Sequence, residues 1–170
     1  MERELTKTQE AEAQIPIYYE VTRSLAAKAK QQALEGRIVI RGKEQPWQQS
    51  RQARVKSFLH AAITDTALLG WLFFVQDIRT HSGRHRHQGG LAIYVLEGKG
   101  WTTVDSVRHD WEEGDLILLP LKPEGVVHQH FNAAPGSPCK WLALIYLPFF
   151  IEALCTEVEQ KEVSPDWAHV

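Results

Sequence analysis

The sequence predicts an all-β sandwich or barrel, with one helix ahead of it and a short helix behind it. Three observations carry this reading. From Val55 onward, short runs rich in aromatic and β-branched residues alternate with turn residues, at spacings of roughly 8–12 positions. Helical spacing of apolar residues occurs in only two stretches, Tyr18–Leu34 and Phe149–Glu159. Four of the eight histidines fall into two His-x-His pairs, His85/His87 and His128/His130, each inside a strand-like run.

Residues 1–15 are polar and end at Pro16. In the first helical stretch Tyr18, Val21, Leu25, Ala29 and Ala33 recur at three- and four-residue steps, and Gly36 stops the pattern. A lone helix of this length needs a surface to pack on, either the outside of the domain or a partner subunit. Arg37–Arg41 holds Ile-Val-Ile and reads as a short strand. Residues 42–54 read as an arm without period, anchored by Trp47. Strands follow at Phe58–Leu59, Leu68–Ile78, Leu91–Leu96, Trp101–Val104, Asp115–Leu119, Val126–Phe131 and Trp141–Leu147. Turns separate them at Gly89-Gly90, Glu97-Gly98, Asp105-Ser106, Glu113-Gly114 and Ala134-Pro-Gly136. The nearly continuous apolar run Trp71–Val75 predicts a strand buried on both faces. Beyond Pro148, Ile151, Leu154 and Val158 set the short C-terminal helix. The organisation expected is a helix and arm over 1–54, a barrel over 55–150 and a helical tail over 151–170.

A chain of 170 residues is long enough for one domain with a real core. The net charge is −2 and no block of Lys or Arg occurs, which argues against nucleic acid or an anionic membrane as partner. No apolar run reaches membrane-spanning length, and Met1–Lys7 lacks the apolar core of a signal peptide. Two cysteines, Cys139 and Cys155, make no disulfide framework. Together these favour a reducing cytoplasm.

The chemistry lies in the histidines. Side chains alternate faces along a strand, so His85 and His87 share one side and Arg84 and Arg86 the other. His128 and His130 likewise share a side, with Gln129 opposite. Two strands that each present two imidazoles to one interior suit a divalent metal, since a neutral imidazole offers one lone pair. Gln76, Arg79, His81, Gln88, Tyr94, Trp101 and Trp141, with Phe74 and Ala143, are candidates to line the interior. Arg79 and His81 precede the first pair and would meet an anionic substrate. His109, after a hairpin turn, is expected to be exposed. His60 and His169 carry no spacing signal.

The segment His85-Arg-His87-Gln-Gly-Gly-Leu-Ala-Ile-Tyr-Val-Leu-Glu-Gly98 resembles the first motif of the cupin superfamily. Gly114, Pro120 and Pro123-Glu-Gly125-Val-Val-His128-Gln-His-Phe-Asn132 resemble the second, with three residues inserted before Pro123. The resemblance covers about residues 55–150 and implies a double-stranded β-helix (jelly-roll) barrel. The carboxylate that completes the family's four-ligand set should fall at Leu91 or Ala92, and neither binds metal. Glu97 lies beyond that position, in the turn, and reads as structural. The implied ligand set is therefore His85, His87 and His128, similar to the three-histidine dioxygenases of the gentisate type. His130 shares the face of His128, either as a further ligand or as the group that moves a proton. Gln88 and His81 are weaker candidates for a fourth ligand.

Three neutral imidazoles leave a divalent ion its full double charge and leave positions open for a chelating anion and dioxygen. This favours Fe(II), with Mn, Ni, Cu or Zn as alternatives. The sequence thus leans to a metal-dependent dioxygenase acting on a small, chelating, anionic substrate, aromatic or not. The alternatives are a non-oxidative metal-dependent isomerase or lyase, and a non-enzymatic small-molecule-binding cupin. The arm over residues 37–54 and the habit of the family point to a homodimer.

Overall fold

The structure, a computed structural model, describes residues 17–153 and 158–167. The chain divides into two compact units, Met1–Ile38 with Asp65–Leu68, and Val39–Thr64 with Leu69–Val170.

The first unit is built on helix α1 (Tyr18–Glu35), which forms as its spacing predicts and ends at Gly36, whose N–H returns to Gln32 O at 2.9 Å. The chain then pairs with residues 65–67. Arg37 N–H donates to Asp65 O at 2.9 Å, Ala67 N–H donates to Arg37 O at 3.1 Å, and Gln32 Nε2 donates to Thr66 O at 2.7 Å. A side chain at position 36 would place its Cβ 2.5 Å from Ala67 N, so only glycine lets the two segments close. No residue of α1 is buried. The strand expected over Arg37–Arg41 is absent. Arg37 makes a single parallel bridge to Thr66, while Ile38 and Val39 are exposed and have no ladder partner. An Ile-Val-Ile run has the propensity for a strand, but no neighbouring strand is there to pair with it.

The second unit is an all-β barrel of two antiparallel sheets. Its strands are β1 (Gln48–Gln49), β2 (Arg54–Leu59), β3 (Trp71–Asp77), β4 (Arg84–His87), β5 (Leu91–Glu97), β6 (Lys99–Val104), β7 (Val107–Glu112), β8 (Leu116–Leu119), β9 (Val126–Asn132), β10 (Lys140–Tyr146) and β11 (Glu159–Glu162). One sheet has the order β1-β2-β3-β10-β5-β8 and the other β11-β4-β9-β6-β7. Alternation sets the faces. On β5, Leu91, Ile93 and Val95 are buried, while Tyr94 and Leu96 are exposed. On β10, Trp141, Ala143 and Ile145 point inward, and on β8 Ile117 and Leu119 do. With Ile78, Trp111 and Cys139 these residues form the core.

Four features depart from the sequence reading. The arm over residues 42–54 contains a one-turn 3-10 helix (Gly42–Glu44), the short β1 and the start of β2, with Trp47 beneath the cations of Arg54 and Lys56 at 4.8 and 4.9 Å. β3 is half-buried along most of its length rather than buried on both faces. β7 forms a hairpin with β6 across the left-handed pair Asp105 and Ser106, although Val107–Glu112 has too few apolar residues to read as a strand. Among the described residues the tail carries a π-helical turn (Phe149–Ala153), and Glu159, expected at the end of a helix, instead opens β11 and pairs with β4. Leu154 and Cys155 lie outside the described residues.

Replacing the fully buried Ile78 by alanine should lower the unfolding free energy by about 2–5 kcal/mol in urea titration. A loss under 1 kcal/mol would mean that this position is not part of the core.

Candidate metal centre

The antiparallel register of β4 against β9 sets His85 directly across from His128. Strand alternation then puts His87 on the same face as both. The rings lie 4.2 Å (His85–His128), 4.6 Å (His87–His128) and 5.1 Å (His85–His87) apart between centroids. One ligand atom from each of the three falls within 4.8 Å of the others. Arg84 and Arg86 point outward from β4, to Glu162 at 3.6 Å and to Glu159 at 3.0 Å on β11.

Burial governs the electrostatics. Desolvation, reinforced by His128, pushes His85 down to about 3. Desolvation and His85 push His87 down to about 3, and desolvation and His87 do the same to His128. His130 is held well below its ordinary range, first by burial and then by the other three histidines. At neutral pH all four are therefore neutral, which is the form that binds a metal.

The donor set fits a divalent cation. His128 Nδ1 lies 3.1 Å from Val126 O, a carbonyl that can only accept, so the proton is on Nδ1 and Nε2 keeps its lone pair. His85 Nδ1 is buried and has no hydrogen-bond partner. His87 differs, because Gly89 N–H donates to its Nδ1 at 3.0 Å. A neutral imidazole has one lone pair, so cation binding at His87 costs that hydrogen bond. Gly89 itself is at φ 79°, and a Cβ there would stand 1.9 Å from Pro120 O. That turn is what holds the amide against His87.

The imidazoles face a cavity of about 240 Å³ inside the barrel. Leu72, Phe74, Leu91, Ile93, Ile145, Phe150 and Val158 supply its apolar walls, and Gln52, Gln76, His130 and Trp141 its other polar edges. Of the expected lining residues, Gln76, Trp141 and Phe74 are in place, while Ala143 is buried in the core and does not line the cavity. Leu91, one of the two positions where the motif would carry a carboxylate, is an apolar wall residue, and Ala92, the other, is not in the lining.

The remaining candidates lie elsewhere. Arg79 is exposed. His81 sits on the outer side of the sheet, 5.6 Å from Phe131 and 3.0 Å from Gln129 Nε2. Trp101 stacks on Phe131 at 4.9 Å beneath Arg108, and Tyr94 is exposed on the outward face of β5. Gln88 is buried outside the lining, its amide donating to Phe150 O. Tyr94 and Trp101 fail because the register, which decides the face, is not fixed by sequence, whereas Arg79, His81 and Gln88 lie outside the strands. His109 is exposed as expected, and His169 lies outside the described residues. Asn132 ties backbone, donating to Ile78 O, Arg79 O and Ser137 O at 3.1, 3.2 and 2.9 Å. Glu97 pairs with Lys140 at 2.5 Å and Asp115 accepts Glu112 N–H at 2.8 Å, both structural roles. Cys139 is a buried core thiol pushed up to about 12 by desolvation.

Leu72 and Leu91, Ile93 and Ile145 were missed, although period-two alternation from Gln76 and Trp141 reaches Leu72 and Ile145. Gln52, Phe150 and Val158 come from the arm and the tail, where no periodicity marks them.

Residues 73–145 match the family model described as "Cupin domain". The match spans the strands from β3 to β10, and the barrel has the cupin fold. No curated protein matches the chain in sequence. Among solved structures, the polyketide cyclase RemF from Streptomyces resistomycificus is 16% identical with a TM-score of 0.54, covering 75% of this chain and 87% of that one. A salicylate 1,2-dioxygenase from Pseudoaminobacter salicylatoxidans in complex with gentisate is 20% identical with a TM-score of 0.56, covering 96% of this chain and 48% of that one. Bacillus subtilis oxalate decarboxylase is 12% identical with a TM-score of 0.56, covering 74% and 32%. These likenesses establish the cupin fold. No helix among the described residues is long and apolar enough to cross a membrane.

The histidines make stability depend on pH. Their folded-state values near 3 lie below the ordinary 6.5, so between those limits the unfolded chain binds protons that the folded chain does not. Metal-free protein should lose stability steadily as pH falls from about 6.5 toward 3. Thermal unfolding across that range should show a shallower slope for His85→Asn than for wild type; equal slopes would contradict the burial.

Proposed function

We propose that this protein is a metal-dependent cupin dioxygenase that uses Fe(II), held by His85, His87 and His128, on a small chelating substrate. The observation that carries the reading is three neutral imidazoles, two buried and one half-buried, converging on a cavity with mostly apolar walls. A cavity of about 240 Å³ is below the roughly 300–1,000 Å³ that takes drug-sized ligands, so the substrate is a compact molecule. Bound there, the cation would supply Lewis acidity and, as iron, one-electron chemistry toward dioxygen.

The chain's own part is to bind, orient and keep water out. Phe74, Phe150, Leu91 and Ile93 offer flat and branched apolar surface to a ring or short chain. Gln76 is only 3% exposed, and its amide has no hydrogen-bond partner among the described residues, which leaves it to meet a polar substrate atom. His130 lines the same cavity, which supports its role toward a substrate proton or oxygen. A homodimer is part of the same proposal. Its support is the outward face of the six-stranded sheet, where Tyr94, Leu96, Leu116 and Leu118 are exposed together.

Protein purified without affinity tag or chelator should hold iron near one equivalent by elemental analysis, and His128→Ala should lose it while remaining folded. Oxygen uptake should follow addition of a dihydroxybenzoate, a diketone or a thiol to the iron-loaded protein. Turnover without oxygen uptake would instead indicate a metal-dependent isomerase or lyase, and tight binding without turnover a binding cupin. Absence of any retained or added metal would end the metalloenzyme reading. Light scattering should give twice the chain mass, and a monodisperse monomer would remove the dimer.

A further inference from the structure

Behind the cavity wall lies a three-residue chain that the metal centre does not use. Thr102 on β6 is paired in register with His130 on β9. Its hydroxyl lies 2.7 Å from His130 Nδ1 and accepts the indole N–H of Trp111 at 2.9 Å. All three side chains are buried, Thr102 at 0%, His130 at 2% and Trp111 at 6% exposure. The indole reaches Thr102 because it lies across Gly100, where a Cβ would fall 2.5 Å from the Trp111 ring. The backbone of His130 is fixed separately, its N–H donating to Ser82 Oγ at 2.9 Å and its carbonyl accepting Ser82 N–H at 2.8 Å.

Counting protons decides the direction of this chain. Trp111 Nε1 can only donate, so it occupies one lone pair of the Thr102 oxygen. The threonine has one proton to give, and among the described residues the only acceptor within reach is His130 Nδ1. If His130 instead donated from Nδ1, the Thr102 oxygen would accept twice and its own proton would be stranded in a dry site, at the cost of an unmade hydrogen bond. The ring therefore accepts at Nδ1 and carries its proton on Nε2.

We infer that Trp111 and Thr102 are positioning residues that lock His130 as the Nε2–H tautomer, making it a fixed neutral hydrogen-bond donor to a substrate oxygen rather than a fourth metal ligand. Among the described residues the convergent ligand atoms belong to His85, His87 and His128, and His130 is not one of the group. Together with the unpartnered amide of Gln76, this selects a substrate that presents an acceptor oxygen beside its chelating group, such as a ring phenolate, an enolate or a carbonyl. The substrate class rests on the proposed function, but the tautomer does not.

The test is a long-range ¹H–¹⁵N correlation spectrum of full-length protein labelled at histidine, metal-free and loaded with Zn²⁺, with His130→Gln to assign the ring. Wild type should show His130 protonated on Nε2 in a roughly fivefold or greater excess, with and without zinc. Thr102→Ser should keep that pattern. Thr102→Val, and independently Trp111→Phe, should mix the two tautomers while leaving the other histidine signals in place. A proton on Nδ1 in the wild type, or loss of the Nε2 proton when zinc is added, would overturn the inference. Zinc that binds nowhere, with the tautomer intact, would defeat the metal reading alone.

Discussion

The cavity depends on keeping imidazoles dry. Three of these rings lie within 4.2–5.1 Å of one another, and a proton on any of them would be both unsolvated and repelled by its neighbours. Burial thus converts a cluster that would be cationic in acid into a set of lone pairs. That conversion requires the register of β4 on β9, because sliding β4 by one residue would turn Arg84 and Arg86 inward and His85 and His87 out, and sliding β9 would turn His128 and His130 out. The tail guards against this slip. β11 places Glu159 and Glu162 outside β4, where each meets one of the two arginines. These exposed ion pairs add little stability, but they supply a reason for the arginines to stay on the outer face.

How much of this was legible follows from what each kind of signal encodes. The barrel strands could be read because each buries one face, and Leu91, Ile93 and Val95 state that face in the order of residues. The His-x-His pairs could be read for the same reason. β7 and β11 could not. Val107–Glu112 and Glu159–Glu162 form edges whose exposed side chains carry no apolar period, and their pairing is a consequence of neighbours distant in the chain. Arg37–Arg41 shows the converse, strand propensity without a partner. The cavity lining required one more piece of information, the absolute facing of β3, β5 and β6. Gln76 and Trp141 fell on the right side, Tyr94 and Trp101 on the wrong one. Thr102 gave no signal, because a threonine in a strand is ordinary until its register partner is known to be His130.

The composition of the cavity constrains the charge of what enters it. The described residues that line it include no Lys, Arg, Asp or Glu. Arg79, the cation that sequence order placed nearest, is exposed. A free anion entering this cavity would exchange water for apolar walls, two amides, an indole and neutral imidazoles, which is unfavourable. Three neutral ligands change the balance, because they cancel none of a dication's charge, whereas a carboxylate at Leu91 would cancel half of it. The missing carboxylate and the lack of a cation among the described lining residues therefore compensate each other. With a dication bound, the charge that attracts an anionic oxygen would be concentrated at the three histidines instead of being shared with an arginine across the cavity. Recognition under this arrangement favours a substrate whose negative charge sits on its chelating oxygens and whose remainder is neutral, which is the kind of molecule that apolar walls and a few fixed donors can hold.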